Sequence, residues 1–283
     1  KIHEVYTGVM IRSQQNVLFV EKTEVEFWPL SDEEIHWYIS TKDPFDMVGF
    51  MYESPSSTFL LGTDNFGRDV FVELIHGMKS SIIIGLISGI IATVIGITIG
   101  LFAGYKGGMV DNILNSITNI FLVIPPFVIL ILVTVSMSSR SLVTMGLVLG
   151  ITSWPWTARA VRAQSLSLRN REHVDIARLN GASTFEIIIK EIMPYILSYI
   201  FMAFILQVAT AILSEAGISM LGLGPSNIVS LGTMLSWALL FESVRSGAWW
   251  AFIPPAVVIA LITFSLYIMN TGMDEIFNPK LRS

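Results

Sequence analysis

From residue 80 onward the chain alternates long apolar runs with short polar ones. The first run, residues 80–104, contains "SIIIGLISGIIATVIGITIGLFAG" and carries no charge. About 20 apolar residues take a helix across a bilayer, so this run predicts a membrane-spanning helix. Four more apolar runs follow, at roughly 113–137, 142–160, 196–221 and 249–270. The pattern is that of an all-α polytopic membrane protein with five visible transmembrane helices.

Before residue 80 the pattern changes. Residues 16–30, "NVLFVEKTEVEFWPL", alternate with period two and predict a strand. Residues 31–40, "SDEEIHWYIS", open with a Ser31-to-Glu34 capping box and predict a short helix. Residues 1–61 thus form a small α+β segment, expected outside the cell. Residues 62–79 place Thr63 or Asp64 as an N-cap before Val70, Phe71, Leu74 and Ile75 on one face, an interfacial helix leading into the membrane. The transmembrane domain is then 80–270, with a polar loop at 160–195 and a tail at 271–283.

Several apolar runs contain breaks. Pro125–Pro126, Pro155 and Pro254–Pro255 each remove an intrahelical donor, which a membrane tolerates only where protein or a wet cavity supplies partners. Gly85, Gly89, Gly96, Gly100 and Gly104 contain three pairs spaced four apart, the spacing of close helix packing inside a bundle.

Charge gives the orientation. The segments 105–112, 159–195 and 271–283 hold nine Lys/Arg in 58 residues, against eight in 110 for the segments on the other side. Basic density marks the cytoplasmic face, so residues 1–79 fall on the extracytoplasmic side. That arrangement needs one more span to bring the chain out, and a sixth helix is expected upstream.

The polar loop has its own design. "EHVDIARL" (172–179) is helical in composition, and Asn180–Gly181 gives a turn. Ser183 caps a second helix with Glu186 three residues on. Phe185, Ile188, Ile189 and Ile192 make one apolar stripe, and Pro194 is expected to stop the helix. The pattern fits a rigid cytoplasmic knob that either rests on lipid headgroups or docks a partner.

"DIARLNGAS" followed by "IMP" resembles the "EAA" loop of permease subunits in binding-protein-dependent ATP-binding-cassette importers. "LGTDNFGRDV" (61–70), "AGYKGGMVDN" (103–112), "SEAGISMLGLG" (214–224) and "NPKLR" (278–282) point to the second permease subunit of dipeptide/oligopeptide importers. The five matches run in order over residues 61–283, and residues 1–60 align with no part of the pattern. The resemblance implies a bacterial or archaeal inner-membrane protein that itself catalyses nothing. Its implied partners are a homologous second permease subunit, two cytoplasmic ATP-binding subunits carrying ATP and Mg, and an extracellular solute-binding protein. It assigns ATPase coupling to Asp175, Ala177, Gly181, Ala182, Ile192 and Pro194, with Asp175 pairing a basic group of the ATPase. Peptides are the implied cargo, although relatives also move oligosaccharides or nickel. Asp175 replaces the family Glu and Ile176 its first Ala, and residues 225–237 depart from the usual pattern.

Other chemistry is sparse. The chain has no Cys and no Gly-x-x-x-x-Gly-Lys-Ser/Thr, Gly-x-Ser-x-Gly or His-Glu-x-x-His. No cofactor, metal or nucleic acid is expected on it, and His3, His36, His76 and His173 stand singly. Glu215 is the only carboxylate within a span, a pathway or structural residue, and a secondary transporter would need more such groups. Asp64, Arg68 and Asp69 read as local capping rather than an anion site. Trp154, Trp156, Trp249 and Trp250 read as an interfacial belt.

Overall fold

A computed structural model describes residues 2–11, 17–26, 45 and 47–277 of the chain. The chain divides into two units, residues 1–46 and 47–283. In the first, β1 (Ile2–Ile11) and β2 (Val17–Glu26) pair antiparallel, Ile2 opposite Glu26 and Ile11 opposite Val17. The strand expected over 16–30 is therefore present at Val17–Glu26. The helix expected over 31–40 and the "NPKLR" motif lie outside the described residues.

The second unit is helical: α1 (Val70–Lys106), α2 (Gly108–Val123), α3 (Pro126–Val135), α4 (Leu142–Leu168), α5 (Glu172–Leu179), α6 (Thr184–Glu186), α7 (Met193–Ile218), α8 (Leu231–Leu240) and α9 (Ile253–Phe277). Among the described residues three helices are long and apolar enough to cross a membrane: Val70–Lys106, Thr184–Leu223 and Trp249–Met273. The run expected at 113–137 is two helices, α2 and α3, bent by 80° at Pro125–Pro126, and counts as a fourth span only if taken together. Pro126 opens α3, where its missing N–H costs no bond. Helix α4 has the length, but Thr152, Ser153, Thr157, Arg159 and Arg162 make it less apolar.

Residues 62–79 are not a separate interfacial helix. Residues 62–69 form a turn, and α1 runs unbroken from Val70 through the expected span. Asp69 is the N-cap, accepting from the N–H groups of Phe71 and Val72. Thr63 and Asp64, the expected caps, close the turn instead: Thr63 Oγ1 donates to the Phe50 carbonyl at 2.6 Å, and Asp64 Oδ1 accepts from the Phe66 and Arg68 N–H groups at 2.8 Å.

Helix α1 is the central element. It packs along α4 through Gly96, Gly100 and Gly104, and against α7 through Gly85 and Gly89. A β-carbon on Gly100 would sit 2.6 Å from the Ala158 carbonyl oxygen, and one on Gly89 would sit 2.5 Å from a Val208 methyl. The glycine stripe thus serves packing within the chain.

Among the described residues three apolar cores run down the bundle. Val70, Leu231, Met234, Trp250 and Ile259 form one at the start of α1, where Trp250 Nε1 donates to the Thr63 carbonyl at 3.0 Å. Ile84, Leu130, Met145, Leu149 and Ile218 form the middle one. Leu101, Tyr105, Val161, Val174, Ile187, Ile188 and Ile192 form the third, under the polar loop. Trp154 is also buried, its ring 5.5 Å from Phe121. Of the expected tryptophan belt only Trp156 and Trp249 are exposed.

Candidate functional site

The polar loop is built as its sequence predicts up to Glu186. Helix α5 ends in a complete Schellman turn: the Gly181 N–H bonds the Arg178 carbonyl and the Ala182 N–H bonds the Ala177 carbonyl, both at 3.0 Å. That closure requires a left-handed residue between them, and Gly181 has φ +81°. Ala177 and Ala182, the two ends of the longer bond, pack on the third core. Ser183 then caps α6, with its reciprocal bond from Glu186 in place.

Beyond Glu186 the structure departs from expectation. Pro194 does not stop the helix, because α6 passes through a π-helical turn at Ile187–Ile192 straight into α7. In that turn the Met193 N–H reaches the Ile188 carbonyl five residues back, and Pro194, which has no N–H, follows directly as the second residue of α7. The wider turn also rotates the stripe. Ile187, Ile188 and Ile192 are buried and Ile189 partly so, while Phe185 is 64% exposed.

Only Val174 of α5 is buried. Ile176 and Leu179 point outward, 58% and 87% exposed, on a helix whose other exposed residues are charged. Ile176 lines a groove of about 400 Å³ whose wall mixes apolar residues such as Ala182 and Ile187 with the polar His173, Glu186 and Lys190. His173 stacks on Tyr195 with ring centroids 4.7 Å apart. Asp175 is bonded inside the chain, accepting from Arg178 Nη1 at 2.9 Å. Arg178 also donates from Nε to the Tyr105 hydroxyl at 3.3 Å and from Nη2 to the Arg169 carbonyl at 3.0 Å. The hydrogen bond to Tyr105 raises the pKa of Arg178 above its ordinary value.

A second site lies where the spans are broken. A cavity of about 380 Å³ opens beside the α2–α3 bend, lined by Leu122, Pro126, Leu149, Trp156, Gln207 and Tyr267 among others. Its walls are mainly apolar, with Thr152, Ser153, Thr210 and Ser214 adding hydroxyls. Gln207 locks α7 to α4 here, Nε2 donating to the Ser153 carbonyl at 3.0 Å and to Thr157 Oγ1 at 2.8 Å. Glu215 does not line this cavity. It is fully buried and accepts from the hydroxyls of Ser81, Ser219 and Ser230, which makes it a structural tie.

Asp64 and Arg68 likewise form a closed internal cluster with Glu73, beneath Phe66 and Trp237. On the loop side of the bundle, Asp111 of α2 receives a two-pronged bond from Arg162 of α4, Nη2 to Oδ2 at 2.7 Å.

Comparison with known proteins places this architecture. The family model described as binding-protein-dependent transport system inner membrane component matches residues 96–283. A Maf-like protein model matches residues 1–61, the part with no counterpart in the permease pattern. The dipeptide transport system permease protein DppC of Bacillus subtilis (strain 168) is 35% identical over 229 residues, covering 81% of this chain and 71% of the relative. The oligopeptide transport system permease protein OppC of the same organism is also 35% identical, over 81% and 74%. OppC of Mycobacterium tuberculosis (strain ATCC 25618 / H37Rv) is 32% identical over 82% and 80%. Among solved structures, the MetNI methionine ABC transporter in an inward-facing conformation matches with TM-score 0.57 and 20% identity, over 73% of this chain and 95% of that one. At that identity the likeness is one of fold.

Proposed function

Because the chain belongs to the binding-protein-dependent transport system inner membrane components, it is a permease subunit of an ABC importer, and we propose that its cargo is a di- or oligopeptide handed over by an extracellular binding protein. The dipeptide and oligopeptide permeases among its relatives support that cargo.

The observation that carries the mechanism is the shape of the 171–194 loop. It is a stiff knob with two exposed apolar side chains, Ile176 and Leu179, the first of them on the edge of a groove lined by both polar and apolar residues. An apolar pair on a rigid, otherwise polar surface fits a docking element. We assign ATPase coupling to this loop. Ala177, Gly181 and Ala182 set its turn, Ile192 anchors it in the third core, and Pro194 follows the π turn into α7. Asp175 serves through Arg178 rather than as a free acid. Two ATP-binding subunits, carrying ATP and Mg, dock there, and a homologous permease completes the pathway. Closure of the ATPases moves the knob, and the broken helices around the 380 Å³ cavity rearrange to pass cargo.

The Lys/Arg distribution supports a cytoplasmic knob and an extracytoplasmic side that holds residues 1–79 and 222–248. Because the chain has no cysteine, single substitutions test this cleanly. S57C should react with an impermeant maleimide from outside whole cells, and N180C only after the cells are opened. Co-purification of ATPase subunits, and ATP-dependent uptake of tritiated dialanine by proteoliposomes supplied with the binding protein, test the function. A permease that brings no ATPase with it would overturn the reading.

A further inference from the structure

We propose that Arg178 is the fastening through which the 171–194 loop grips the ends of α1 and α4 at once, a positioning residue for the transfer of work. The inference rests on the reading of that loop as the ATPase-docking element.

The packing of α5 leaves a mechanical gap. Val174 is its one fully buried residue; Ala177 packs part-buried on the third core and His173 stacks on Tyr195, so α5 rests on shallow, weakly directional contacts. A rod held that way can rock, and a rocking knob would waste the stroke. Arg178, one turn beyond Val174, adds directional ties. Its Nε donates to the hydroxyl of Tyr105, a buried residue in the last turn of α1. Its Nη2 donates to the carbonyl of Arg169, the C-cap of α4. Its Nη1 donates to Asp175 on α5 itself, which holds the side chain in place. The guanidinium carbon also lies 5.2 Å from the centre of the Tyr105 ring.

Helices α1 and α4 are locked along Gly96, Gly100 and Gly104, so a group bonded to both of their ends grips one rigid body. Three fixed directions from one planar cation suit arginine and not lysine, whose ammonium is a point charge on a flexible stem. Asp175 then has a role inside the chain: it aims the fork.

The test uses the full complex, with S167C and N180C spin-labelled on the otherwise cysteine-free chain. Pulsed electron resonance reads the distance between the end of α4 and the knob, with and without trapped nucleotide. In the parent complex the distribution should stay narrow and unmoved in both states. In R178A and Y105F it should broaden, and R178K should not restore it. The double variant R178A/Y105F should be no worse than R178A, since both cut the same tie. The ATP hydrolysed per dialanine imported should rise about tenfold in R178A, the size of a lost coupling between sites, with ATPase still bound. Y105F removes a single oxygen and R178K keeps charge and length, so they answer if R178A fails to fold. Narrow, unmoved distributions in Y105F and R178K would overturn the proposal. Absence of any ATPase in the parent preparation would instead overturn the docking reading.

Discussion

Ser81 of α1 and Glu215 of α7, 134 residues apart in the chain, meet inside the bundle, the serine hydroxyl donating to Glu215 Oε2 at 3.3 Å. The hydroxyls of Ser219 and Ser230 donate to Oε1 at 2.7 and 2.6 Å. Ser81 in turn accepts from the Leu231 N–H at 3.1 Å, so one carboxylate ties α1 and α7 to the first residue of α8. The E215A variant leaves three buried hydroxyls without their acceptor and opens a void. It should lose about 3–5 kcal/mol, seen as a lower unfolding midpoint of the purified complex. E215Q keeps an acceptor for Ser219 and Ser230 and offers an amide N–H to Ser81, so it should fold and import almost normally. Loss of import in a fully stable E215Q would make the residue a cargo contact instead.

Gly181 separates two kinds of cost. Its φ of +81° is a left-handed conformation, yet an added β-carbon would meet nothing within 4 Å. The penalty of a side chain here is backbone strain alone, about 1–2 kcal/mol for an ordinary residue and less for asparagine. ATP-driven uptake should therefore fall in the order Gly, Asn, Ala, Val, with G181V inserted in the membrane but poorly coupled. Equal uptake by G181V and the parent would show that the Schellman turn does not matter to the loop.

Gly100 presents the opposite case. Its new β-carbon would lie 2.6 Å from the Ala158 oxygen and 2.9 Å from the Arg162 nitrogen, both backbone atoms that cannot swing aside. G100A must push α1 off α4, at about 1–3 kcal/mol. Gly217 is the control, since its nearest neighbour is the Phe127 ring at 3.2 Å, a side chain that can turn. G100A should lower the unfolding midpoint clearly more than G217A, and equal shifts would contradict the close packing of α1 on α4.

What was legible in the sequence is chemistry that acts over a few residues. The Ser183–Glu186 capping box, the turn at Gly181 and the glycine spacing of α1 all stand in the structure as read, and the ordered motifs identified the family. What was illegible is non-local or breaks a period. The π turn at Ile187–Ile192 adds no letter to the pattern, yet it turns Phe185 out and Ile187 in. Three side chains could cap α1, and only the folded turn decides that Thr63 and Asp64 bond backward while Asp69 caps. Tyr105 and Arg178 are 73 residues apart, and no spacing rule joins them.

The same limit applies at Arg68, where the sequence shows an Asp and an Arg four apart and hides the rest. Arg68 is 4% exposed, with Nη2 on Asp64 Oδ2 at 2.6 Å and its Cζ 4.3 and 4.2 Å from the ring centres of Phe66 and Trp237. Nε lies 3.1 Å from Glu73 Oε1, a charge contact rather than an aligned bond, because its hydrogen is directed at Asp64 Oδ2, 2.9 Å away. A cation held by carboxylates on one side and aromatic faces on the other is a fastener for residues 62–73 and α8. R68A strands two buried carboxylates, which costs about 3–5 kcal/mol. R68K should recover little, because an ammonium can neither fork nor stack flat on a ring. Limited proteolysis of the purified complex checks this: both variants should be cut between residues 47 and 69 well before the parent. An R68K complex that resisted the protease but no longer accepted cargo from the binding protein would instead make Arg68 an anion site, against the closed geometry that surrounds it.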